Sequence, residues 1–156
     1  MTKKADFNAD EWSQILEGPP VAGMIVIAAE RGGTMRETLQ MGHAYRDARD
    51  AAEQIDEPEL LDEIVSSAPE LDPKQYGSPD ELNSKGIEQL SEAVALLETK
   101  ATSDEVDAYR GFVLAVAERV AHARKSGGFL GFGGTEVSEK EQDALDRIAA
   151  AMGTVE

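Results

Sequence analysis

The sequence predicts an all-α fold, a single-domain bundle of about seven helices, on three observations. First, a short polar residue is followed three positions later by Glu five times: Asn8 with Glu11, Thr34 with Glu37, Ser78 with Glu81, Thr102 with Glu105 and Ser138 with Glu141. In that spacing the short side chain accepts from a free amide of the first helical turn. The Glu reaches back to the capping residue's own amide and complements the positive end of the helix dipole. Second, Val106, Tyr109, Val113, Val116 and Val120 recur at spacings of three and four, the signature of one buried helical stripe. Third, no segment shows a comparably strong strand alternation.

The elements follow in order. Asn8 caps a helix over 8–16 with Trp12, Ile15 and Leu16 as its apolar contacts, and Gly18-Pro19-Pro20 is expected to stop it and start the next. The second helix, 19–31, is apolar nearly all round, which marks a central, covered helix. Gly32 and Gly33 end it, and Thr34 opens a third over 34–55, rich in small residues. A short helix follows over 58–65. The segment 66–78 holds Pro69, Pro73 and Gly77 and reads as an irregular crossover. The helix over 80–98 turns Leu82, Leu90, Val94 and Leu97 inward, with Gly86 weakening it by roughly 1 kcal/mol relative to Ala. Thr102 starts the sixth helix, which ends in a glycine-rich loop over 126–137. Ser138 caps the last, with Leu145, Ile148 and Met152 as its apolar face and Gly153 as its terminator.

Composition narrows the function classes. The chain of 156 residues carries 31 acidic against 15 basic side chains, a net charge of −16, so phosphate backbones and anionic lipid surfaces are repelled and neither nucleic acid nor membrane is expected as a partner. The acidity suits solubility, a basic protein partner, cations or life at high salt. Cysteine is absent, which excludes disulfides, thiolate metal sites and Cys nucleophiles. Lys3 and Lys4 have no apolar run behind them, so no secretory signal is read and a cytoplasmic location is expected. The longest apolar stretch, 19–29, is well short of the roughly 20 residues that span a bilayer.

Two segments share an order of events: an apolar helix ending in charge, a Gly-Gly break, a Thr or Ser cap with Glu three positions on, then another helix. They are AAERGGTMRETLQMG from Ala28 and RKSGGFLGFGGTEVSEKEQDALDRIAAAMG from Arg124, and they read as two pseudo-repeated helical hairpins or as one capping grammar used twice. On these residues the chain resembles the TerB-like helical domains associated with tellurite resistance. The resemblance implies a stress-response domain that holds a divalent metal through carboxylates, and it would place Thr34 with Glu37 and Ser138 with Glu141 on the family pattern. The chain departs from that pattern where the family has an acid before the glycine: Arg31 stands there in one half and Ser126, after Lys125, in the other.

No other constellation calls for a cofactor. The loop SGGFLGFGG lacks the phosphate-cradle patterns and a preceding strand, so its Phe129, Leu130 and Phe132 are read either as plugs on the bundle end or as a contact surface for a partner. His43 with Asp47 and Glu118 with His122 are spaced i, i+4, but helical phase places His122 opposite the buried stripe. The acidic clusters at 56–63 and 136–141 lack the alternating ligands and glycine of a calcium loop. A catalytic triad lacks its nucleophile motif. The sequence therefore points to a non-enzymatic protein-interaction or regulatory module, acting on a protein partner or as a homo-oligomer, with the TerB-like metal-binding domain as the alternative.

Overall fold

The computed structural model describes residues 3–31, 46, 50, 59–67, 78–126 and 139–153. All the regular structure in these residues is helical. A 3-10 turn, Lys4–Asp6, precedes α1 (Ala9–Arg31), followed by α2 (Glu59–Ser66), α3 (Pro79–Lys100), α4 (Ser103–Ser126) and α5 (Glu139–Ala151). Helix α1 is central and packs against α3, α4 and α5; α2 lies against α4. Among the described residues no helix is long and apolar enough to cross a membrane.

Three of the expected caps are in place. Asn8 Oδ1 accepts from Glu11 N at 2.8 Å while Asn8 N donates to Glu11 Oε1 at 3.0 Å. Thr102 and Glu105 make the same reciprocal pair at 3.2 and 3.0 Å. Ser78 Oγ accepts from Glu81 N at 3.1 Å, with Pro79 in the first turn, where its missing N–H costs nothing. Each polar pair satisfies amides that a helix start leaves open. The stripe read from α4 is buried throughout, as are Leu82, Leu90, Val94 and Leu97 of α3, Leu145 and Ile148 of α5 and Met152 just after it.

Gly18, Pro19 and Pro20 do not separate two helices: they lie, buried, inside the single 23-residue helix α1. The two helices expected over 8–16 and 19–31 are therefore one, and five α-helices are delimited among the described residues. Of the helix expected over 34–55 only Arg46 and Asp50 are described, both helical. The Gly-Gly breaks of the two proposed half-repeats lie outside the described residues.

The physical reason for the continuous helix is in α4. Proline at 19 removes the N–H that would bond to the Ile15 carbonyl, a defect that in an isolated helix costs about 3 kcal/mol. Tyr109 Oη, fully buried, donates to that carbonyl at 2.7 Å. Gly18 makes the approach possible, since a Cβ there would sit 2.0 Å from the Tyr109 hydroxyl oxygen. The apolar face continues on both sides of the break, with Ile15 and Leu16 before it and Val21, Ala22, Ile25 and Val26 after it, all in the core.

Gly86 has a comparable role on α3. A Cβ there would lie 2.9 Å from Ile25 Cδ1 and 3.0 Å from Val21 Cγ1, so the glycine lets α1 and α3 cross closely. Its loss of helix propensity is compensated by the packing it permits.

Next to Tyr109 on α4, Arg110 joins three elements. Its Nε donates to the Met152 carbonyl at 2.5 Å, its Nη2 to Glu98 Oε1 at 2.8 Å and its Nη1 to Asp107 Oδ1 at 3.0 Å. The first of these satisfies a carbonyl at the C-terminal end of α5, where Gly153 turns the chain with φ +80°.

The Tyr109 bond is open to a double-mutant cycle. Tyr109→Phe leaves the Ile15 carbonyl buried without its donor and should cost about 1–3 kcal/mol in urea denaturation. Gly18→Ala should cost a similar roughly 1–3 kcal/mol through the clash with the hydroxyl. The double variant should lose less than the sum, because removing the hydroxyl removes the closest contact of the new methyl group.

Candidate functional site

Of the residues expected to bind a partner or a metal, Glu141 is described and Glu37, Phe129, Leu130 and Phe132 are not. Glu141 is the third residue of α5 and only 2% exposed, so a carboxylate is held inside the bundle in the first turn of a helix. Ser138, its expected capping partner, lies outside the described residues, as do Glu37, Phe129, Leu130 and Phe132. His43 and the side chain of His122 lie outside them too. Among the described residues no three His, Cys, Asp or Glu side chains converge as metal ligands do. The other buried carboxylate, Glu105 at 5% exposure, is engaged by the α4 cap.

A dense polar junction among the described residues is one that sequence reading passed over. It lies where residues 3–8, α1, α2 and α3 meet. Lys100, the last residue of α3, sends its Nζ to the Asp6 carbonyl at 2.9 Å and to Glu11 Oε1 at 3.1 Å. That same oxygen accepts from Asn8 N, so one carboxylate serves both the cap of α1 and the end of α3. On the other side, Lys4 N donates to Glu63 Oε2 of α2 at 2.5 Å, and Lys3 Nζ lies 3.6 Å from Glu59 Oε1. Two aromatic rings fill the space beneath. Phe7 and Trp12 have ring centroids 5.9 Å apart, with Lys100 Nζ 5.3 Å from the Phe7 ring and Lys4 Nζ 5.7 Å from the Trp12 ring.

The chain logic of this junction is partly local. Asn8 and Glu11 start α1, and a basic residue at the end of α3 complements its negative dipole end. What brings Lys100 to Glu11 is the antiparallel return of α3 along α1, a contact spanning 89 positions. The only signal available in sequence was the sparseness of basic residues, 15 in all, and Lys3, Lys4 and Lys100 are three of them.

Glu11 titrates below the ordinary carboxylate value of 4.5, first because it accepts the Asn8 backbone N–H and then because Lys100 bonds to it and attracts it. Each of these contacts favours the ionised form.

Comparison of the chain with protein-family models, with curated proteins and with solved structures finds no match in any of the three. The functional reading therefore rests on the residues themselves.

The lowered value at Glu11 sets the sign of a pH effect. A carboxyl whose folded-state value lies below its unfolded value adds stability that is complete above pH of about 4.5 and is lost as pH falls through the lower, folded value. Glu11→Gln keeps a side chain able to cap but removes the charge. The variant should be less stable than the parent at neutral pH, and the two urea-denaturation curves should converge on acidification.

Proposed function

We propose that this chain is a non-enzymatic helical module that works through protein contacts in the cytoplasm, with a protein partner or a second copy of itself. The observation that carries the reading is the use made of polar groups inside the bundle. The Tyr109 hydroxyl goes to the Ile15 carbonyl, and the buried Glu105 goes to the Thr102 amide. Both serve the backbone of the fold, as expected of a scaffold. The net charge of −16 favours a basic partner surface and steers its approach. The contact surface proposed is the aromatic part of the glycine-rich segment 126–137, with Phe129, Leu130 and Phe132 as its apolar anchors.

The test is Phe129→Ala combined with Phe132→Ala. On the proposed reading, the double variant keeps the parent's denaturation midpoint and loses the partner recovered from host extract, or loses its self-association. A variant that is destabilised by about 3 kcal/mol or more while recovering the same partner shows these rings to be core packing and removes the reading.

A second reading, the TerB-like divalent-metal or stress-response domain, is favoured by one observation: Glu141, one of the two carboxylates on the family pattern, is almost fully buried. Carboxylates held in that way suit a hard cation such as calcium or magnesium. This reading expects saturable, stoichiometric binding of a divalent ion by calorimetry. Glu37→Gln and Glu141→Gln should each weaken it by at least roughly tenfold. Weak uptake that scales with net charge and is unchanged in both variants sinks it.

A further inference from the structure

We propose that residues 3–8 form an ionic clasp that loosens as salt rises, while the helical bundle beneath it becomes more stable. The two responses have opposite sign because the clasp is held by attraction between unlike charges, whereas the whole chain is loaded with like charges.

The clasp has little else to hold it. Of residues 3–8 only Phe7 is buried; Lys3, Lys4, Ala5, Asp6 and Asn8 are exposed. The charged groups facing the segment are Glu59 and Glu63 from α2, Glu11 from α1 and Lys100 from α3, and its own are Lys3, Lys4 and Asp6. Asp6 is turned inward on the segment itself, accepting from Lys3 N at 2.8 Å. Apart from the Phe7 ring and the α1 cap at Asn8, where Glu11 N and Trp12 N donate to Asn8 Oδ1 and the Asn8 carbonyl, every tie of the segment to the bundle thus involves an ammonium or a carboxylate. A segment with one apolar anchor and exposed polar ties opens at lower free energy than a packed helix. Surface ion pairs of this kind weaken as the screening length falls, from about 10 Å in 0.1 M salt to about 3 Å in 1 M.

A further feature biases the clasp toward opening. Trp12, 6% exposed, lies under the segment, and among the described residues its indole N–H meets no acceptor. A buried donor without an acceptor is unfavourable, and access to water on opening relieves it. The core has the contrary response to salt. With a net charge of −16 its self-repulsion is reduced by the same ions that weaken the clasp.

Trp12 is the only tryptophan, so the clasp carries its own probe. The experiment is acrylamide quenching of Trp12 fluorescence in the full chain as sodium chloride is raised to molar concentration, with far-UV circular dichroism and thermal midpoints in parallel. Chloride is used rather than sulfate, which would itself tighten apolar packing. The expected result is a quenching constant that rises with salt while the helical signal is constant and the thermal midpoint increases. Lys100→Met, which keeps the apolar stem and removes the charge, should start with the higher quenching constant at low salt and respond less to added salt. Lys85→Met removes an exposed partner of Glu81 away from the clasp and should keep the parent's profile. If Lys100→Met does not fold, Lys3→Gln at the exposed Glu59 pair is read in its place, with the same expected direction. A quenching constant that stays flat or falls with salt overturns the proposal, as does one that rises only as helical signal is lost.

Discussion

The hydrogen bond from the Tyr109 hydroxyl to the Ile15 carbonyl is the contact on which the rest of the bundle depends. It stands where consecutive prolines would otherwise divide α1, and α1 is the helix on which α3, α4 and α5 all pack. With the carbonyl satisfied, the helix runs unbroken through the middle of the molecule and keeps its apolar residues in one continuous register. Gly18 supplies the space and Tyr109 supplies the donor, and neither has a purpose without the other. The same pair pins α4 to α1 at one height, so the bond specifies register as well as satisfying a buried acceptor.

Charge is organised on a different plan from the core. The interior of the described bundle is aliphatic and aromatic apart from the carboxylates Glu105 and Glu141, and the basic groups that bind other elements reach the ends of helices. Lys100 closes α3 onto α1 and the preceding segment, and Arg110 closes α5 onto α4 and the end of α3. Each brings a cation to a backbone carbonyl and to at least one carboxylate, so the few positive charges of an acidic chain neutralise both dipole ends and side chains. Such joints hold helix ends in place without adding to the core, and they answer to ionic conditions in a way the core does not.

Much of the fold was legible because its signals are local. A cap couples residues three positions apart and a buried stripe repeats every three or four, so Asn8–Glu11, Thr102–Glu105 and the run from Val106 to Val120 needed no knowledge of partners. Gly18 and Gly86 were misjudged for the converse reason. Read locally, one is a break and the other a weakness, whereas each marks the place where a residue distant in sequence comes within contact of the backbone. The position of Glu141 in the first turn of its helix was readable from its spacing to Ser138, but its burial was not. The junction at Glu11 was half legible, as the cap; Lys100 completes it from 89 positions away.

The sequence by itself determined that the chain is helical, where most of its described helices begin, which faces they bury and that its surface is strongly acidic. These properties follow from propensity, periodicity and composition, which act within a few residues or over the whole chain. Tertiary structure alone decided that α1 continues through Pro19 and Pro20, that α1 and α3 cross at Gly86, and that Lys4 and Lys100 gather around Trp12 and Phe7. Each of those outcomes requires a donor, a gap or a charge supplied by another helix, and no local pattern specifies which helix will arrive there.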